Sequence, residues 1–203
     1  MVAVFSGFAA SVRSGLIVPG DAAATASHIM ASEGLFRIGI VSDLIGQVFH
    51  ILLVLVLYEL LKTVNKNQAL LMVVLALAPV PIAMLNQLNQ FAVLPLLSSA
   101  DYPQVMFFLN LHHQGVLIAQ IFWGLWLFPL GYLVFKSGYI PRILGVLLII
   151  AGLGYLIDSF GTFLSPNYGL TISMFTFIGE VLFLLWLLIK GVKEQKSDLI
   201  VAS

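Results

Sequence analysis

Residues 35–62 read LFRIGIVSDLIGQVFHILLVLVLYELLK. From 35 to 61 the only full charges are Arg37, Asp43 and Glu59, and a lysine follows directly. About 20 apolar residues in a helix cross a hydrocarbon core of roughly 30 Å, so this run spans with tilt or interfacial overhang to spare. It lacks the two-residue alternation of a barrel strand, and lipid offers no partners to an open strand edge. It therefore predicts a transmembrane helix. Four more segments of the same kind lie at 69–97, 104–135, 141–163 and 170–189. A shorter apolar piece, 1–12, reads as the outer part of an incomplete first span, with Ala3, Gly7 and Ser11 forming a small-residue stripe suited to close packing. The expectation is an all-α, polytopic membrane bundle of six spans in one domain, 1–203.

Composition agrees. The 203 residues are 61% hydrophobic and 9% charged, with a mean hydropathy of +1.08. Soluble domains carry about 25% charged residues, so lipid is the expected main solvent. A net charge of +0 without a basic run argues against nucleic acid as a partner. With no cysteine, thiol catalysis, disulfides and cysteine-ligated metal are excluded.

Basic residues set the orientation. Lys62, Lys66, Lys136, Arg142, Lys190, Lys193 and Lys196 fall on one side of a six-span arrangement, leaving Arg13 and Arg37 on the other. The positive-inside rule makes the first side cytoplasmic and places both termini there. The long connection from Arg13 to Phe36 is then extracytoplasmic. Within it Pro19-Gly20 signals a turn, Asp21 an N-cap for an Ala-rich helix over 22–31, and Gly34 a stop. That helix is either a lid or a linker. Pro79 and Pro81 predict a kink that frees the carbonyls of Leu75 and Leu77, and Pro129 another late in its span. Tyr102, Tyr139 and Tyr168 mark the interfaces.

Polar residues inside the spans carry the functional expectation, because each ionisable group at the bilayer centre costs on the order of 3 kcal/mol. Asp43, Gln47 and His50 share a helix face at i, i+4, i+7. Asn86, Asn89 and Gln90 cluster on the next span. Asn110, His113, Gln114 and Gln120 share a broad face, with His112 pointing elsewhere. Asp158 and the line Ser173, Thr176, Glu180 complete the set. Counting rise per residue places Asp43, Asn110, Asp158 and Thr176 about 9 Å inside the outer edge. Gln47, Asn86, His113 and Glu180 come at about 15 Å on the same count. Glu59 lies at the opposite rim, within reach of Lys62.

Three readings fit such a layer. The polar groups are interhelical glue; or they line an outward-facing pocket for a small-molecule or lipid ligand, built from Arg37, Asp43, Gln47, His50, Asn86, Asn110, His113, Asp158 and Glu180; or His50, His113 and the carboxylates hold zinc in a membrane hydrolase. The third lacks paired histidines at i, i+4. Haem ligation by His50 and His113 is disfavoured by their different depths. Whether the chain is an enzyme, and which cofactor it uses, stays open. At the mouth, Arg37 either snorkels, holds an anionic head group, or pairs with Asp43 or Asp158.

Several motifs coincide with a known family. They are WGLWLFPLGY from Trp123, KSGYIPRILG from Lys136, GYLIDSF from Gly154, VPGD from Val18, LFR from Leu35, YELLK from Tyr58, and Val64-Asn65-Lys66. In these the sequence resembles the bacterial family called domain of unknown function 4386 over most of its length. Members usually have a fuller first helix. The resemblance implies a multi-pass bacterial inner-membrane protein and no particular activity.

Overall fold

A computed structural model describes residues 2–165 and 168–190; Lys193 and Lys196 lie outside the described residues. Ten helices follow in order: α1 Val2–Leu16, α2 Ala22–Ala31, α3 Glu33–Leu61, α4 Lys66–Leu77, α5 Pro79–Ser98, α6 Tyr102–Leu125, α7 Leu127–Ser137, α8 Arg142–Leu164, α9 Ser173–Thr176 and α10 Ile178–Lys190. Several are halves of one bent rod. Among the described residues five continuous helices are long and apolar enough to cross a membrane: Glu33–Leu61, Lys66–Ser98, Tyr102–Ser137, Arg142–Leu164 and Ser173–Lys190. The expected first span, at 15 residues, falls short of the roughly 20 that a full crossing needs.

Each bend has a local cause. Pro79 and Pro81 bring no N–H to the helical ladder, and the rod breaks at Ala78 between α4 and α5. Pro129 lies just beyond the break at Trp126 between α6 and α7. Between α9 and α10 there is no proline; the Thr176 hydroxyl donates back to the Ile172 carbonyl at 3.4 Å, a bond that bends helices. The helix over 22–31 forms as the sequence predicts. Asp21 caps it by accepting from the Ala24 N–H at 2.8 Å, and Thr25 closes the Pro19-Gly20 turn onto Val18. It stops at Ala31 rather than Gly34, because Ser32 leaves helical geometry at φ −133° and ψ 37° while its N–H still closes the last turn onto His28 and Ile29.

Glycines let the rods touch. A Cβ on Gly145 would lie 2.5 Å from the Gly131 carbonyl oxygen, and one on Gly152 would lie 2.7 Å from that of Gly124. Backbone therefore meets backbone along the α6–α7/α8 seam. α1 seats differently from expectation. Gly7 and Ser11 of the predicted stripe are exposed, and the side chain of Ala3 is outside the described set. Val12 packs on Gly39, Phe5 stacks on Phe49, and the glycines at the contact belong to α3.

Among the described residues the core is two apolar clusters with polar groups between. One joins the end of α3 nearest the basic residues to α4, the length of α7, α8 and Phe183. The other gathers Val12, Ile29, Phe36, Ile40, Val93 and Leu109 under α2, at the opposite end. Lys62, Lys66, Lys136, Arg142 and Lys190 all sit on or beside helix termini at the first end. There Glu59 pairs with Lys62, and the Tyr139 hydroxyl donates to the Leu60 carbonyl at 2.8 Å. Burial holds the Tyr139 phenol above the ordinary tyrosine range.

Candidate functional site

Between the two clusters lies a cavity of about 220 Å³, walled by Ser6 and Arg13 of α1, Asp43 and Gln47 of α3, Ala83, Asn86 and Gln87 of α5, and His112, Val116, Ala119 and Trp123 of α6. Arg13 reaches down from the end of α1 and pairs with Asp43. Gln87 donates to the same carboxylate at 3.3 Å. Gln90 donates to Gln87 at 2.9 Å and meets the His112 ring at 2.7 Å. Asn86 donates to the His112 carbonyl and receives from Asn89, both at 2.8 Å. A chain of hydrogen bonds thus runs from a cation on α1 to an imidazole on α6. Its charges cancel in place, which is the condition for keeping them in a low-dielectric interior.

One member of the wall is left over. Among the described residues the Oε1 atom of Gln47 is closed off from solvent and has no hydrogen-bond partner. A buried amide without a partner costs on the order of 1–3 kcal/mol. α1 packs along α3 and against α2 but makes no close packing with α6 among the described residues. The cavity lies in that gap, with an apolar cap above it.

The sequence-predicted residues divide. Asp43, Gln47 and Asn86 meet here. His50 does not: its Nε2 bonds the Ala76 carbonyl at 3.0 Å, at the proline bend, and its ring packs edge-on against Trp126. The acceptor is Ala76, next to the Leu75 and Leu77 carbonyls that the prolines predict to be free. Asn110 and His113 face outward, whereas His112 is 4% exposed and faces the cavity. This reverses the predicted histidine, because the buried stripe of α6 runs through Val105, Leu109, His112 and Ala119. Arg37 pairs with Glu33 on the surface, not with Asp43 or Asp158.

Nor do the carboxylates share one layer. Asp158 accepts from the Tyr168 hydroxyl at 2.8 Å and from the backbone N–H groups of Ile172 and Ser173 at 2.9 and 2.7 Å. It fastens the connection after α8 to the start of α9. Glu180 lies apart, on α10 beside Tyr155 of α8. Equal counting from helix ends fails because the rods differ in length, from 18 to 36 residues. Gly131 meets Gly145, Gly124 meets Gly152 and Gln120 bonds the Tyr155 carbonyl. Counting on from these contacts brings the end of α8 level with His112, so α6 projects beyond its neighbour there. Among the described residues no three His, Asp or Glu side chains converge as metal ligands would, and the donors for the zinc reading are dispersed.

Sequence reasoning missed Arg13, Gln87 and His112. The α6 stripe carried a signal for His112, and Gln87 follows Ala83 at i+4 on the buried face of α5. Nothing local announced that Arg13 turns inward.

An uncharacterized protein of Archaeoglobus fulgidus is similar to this chain, 39% identical over 137 residues that cover 68% of this chain and 74% of the relative. No solved structure matches. The model of the family Domain of unknown function (DUF4386) matches residues 1–191, and with its apolar helices and the motifs that run through them the chain belongs to that family.

Proposed function

We propose that this is a multi-pass protein of the bacterial inner membrane, with both termini cytoplasmic and α2 on the extracytoplasmic face, that binds or transports a small polar ligand in the α1–α3–α5–α6 cavity. The positive-inside rule supports the orientation. It is sharpened by Arg13, which spends its charge inside the bundle on Asp43 and so hardly counts against the segregation of lysines. The observation that carries the binding reading is the unpartnered Gln47 amide on the wall of a cavity with room for more than one water. Because Arg13 and Asp43 neutralise each other, the fitting ligand is uncharged overall and both donates and accepts hydrogen bonds. The gap between α1 and α6 favours entry from the bilayer side, which suits the head of an amphiphile.

A scaffold without a ligand is the second reading, favoured by the structural partners of His50, Asp158 and Arg37. Thermal stability of the purified protein, screened against neutral polar solutes and extracted lipids, separates the two. Binding predicts that one chemical class stabilises the native protein but neither Gln47→Leu nor the cavity-filling Val116→Phe. If no compound distinguishes the native chain from these variants, the scaffold reading stands instead.

A further inference from the structure

Each described carboxylate other than Glu180 is fully accounted for. Asp43 pairs with Arg13, Glu33 with Arg37 and Glu59 with Lys62. Asp21 and Asp101 cap helices, and Asp158 holds two backbone N–H groups and a phenol. Glu180 differs. Among the described residues its Oε1 is shut away from solvent with no partner, and the Tyr155 hydroxyl lies beside the carboxyl.

Among the described residues α10 packs chiefly against α8, with α9 preceding it. From α8, Tyr155 faces Glu180 while Asp158 is turned to the loop; α9, Ser-Met-Phe-Thr, brings no titratable group. Lys190 is ten residues further along α10, about 15 Å away on the helix rise. No cation therefore balances the carboxyl among the described residues. A carboxylate in that position would be an uncompensated charge in hydrocarbon, whereas the acid form is neutral and can share its proton with one neighbour.

We propose that Glu180 is a proton-binding site within the membrane, a carboxylic acid that keeps its proton at neutral pH at the α8–α10 seam. It is separate from the cavity and does not depend on what the cavity binds. α10 is on the rim of the bundle, with Val181, Leu182 and Leu185 exposed on its face away from the seam, so a lipid-soluble reagent is the kind suited to approach the seam from hydrocarbon.

Dicyclohexylcarbodiimide reports on such groups. The acid proton passes to a reagent nitrogen as the carboxyl oxygen bonds the central carbon, and rearrangement leaves a stable N-acylurea on the protein. With the full chain in lipid nanodiscs, mass spectrometry should find the adduct on the Glu180 peptide, declining as pH is raised from neutral and lost in Glu180→Gln. Paired Asp43 and Asp158 should stay unlabelled. Infrared spectra give a second readout that needs no reagent access: the carbonyl band of a protonated carboxyl, absent in Glu180→Gln. An absent band, or labelling blocked by sodium at constant pH, would overturn the proposal, the latter by making the site one for a metal cation.

Discussion

At the scale of single residues, the polar groups of the spans are paired more closely than their spacing suggests. Arg13 and Asp43 are 30 positions apart and come together only because α1 lies along α3. Removing one partner strands the other charge in the interior. Arg13→Met or Asp43→Leu alone should therefore destabilise the protein by on the order of 3 kcal/mol, the double variant by clearly less. Thermal or denaturant unfolding in detergent checks this double-mutant cycle, and additive losses would mean that the pair is not coupled. The neighbouring histidines show how fine such distinctions are. His112 and His113 differ by one position, about 100° around a helix, and one faces a cavity while the other faces outward.

At the scale of elements, the α7–α8 seam depends on missing side chains. Gly145→Ala would drive a Cβ to 2.5 Å from the Gly131 carbonyl and 2.8 Å from the Phe135 nitrogen. Both are backbone atoms that cannot step aside, so a loss of about 1–3 kcal/mol is expected. Gly7→Ala, with nothing within 4 Å of the new atom, is the matched control and should lose no stability in the same unfolding assay. Tyr139 fastens the turn after α7 to the end of α3. Its phenol is raised by burial, so the stability it adds is complete below the unfolded value of about 10 and is lost as pH climbs through the folded value. The native protein should lose more stability than Tyr139→Phe as the solution is made strongly alkaline. At neutral pH the Phe variant should be weaker by about 1 kcal/mol, one hydrogen bond's worth.

At the scale of the whole molecule, orientation is the property most open to direct test. The natural chain has no cysteine, so any introduced thiol is unique. Ser99, between α5 and α6, and Ser137, at the end of α7, lie at opposite ends of the bundle. In intact cells an impermeant maleimide should label Ser99→Cys, and Ser137→Cys only after permeabilisation. The opposite pattern would invert the topology and move the cavity to the cytoplasmic half.

What the sequence determined by itself follows from solvent: few charges and long apolar runs leave the backbone no choice but helices, and caps and prolines say where these start and bend. Asp21, Pro79 and Pro129 act over one turn, and their effects were legible for that reason. Partnerships between helices were not, because they depend on how far each rod is slid and rotated against its neighbours. Gly124 against Gly152 and Val12 against Gly39 fix those offsets through side-chain volume at contacts far apart in the chain. Only the tertiary packing could give Asp43 to Arg13 rather than Arg37, turn His112 inward, and divide one supposed polar layer into a cavity, a loop fastening and a solitary acid.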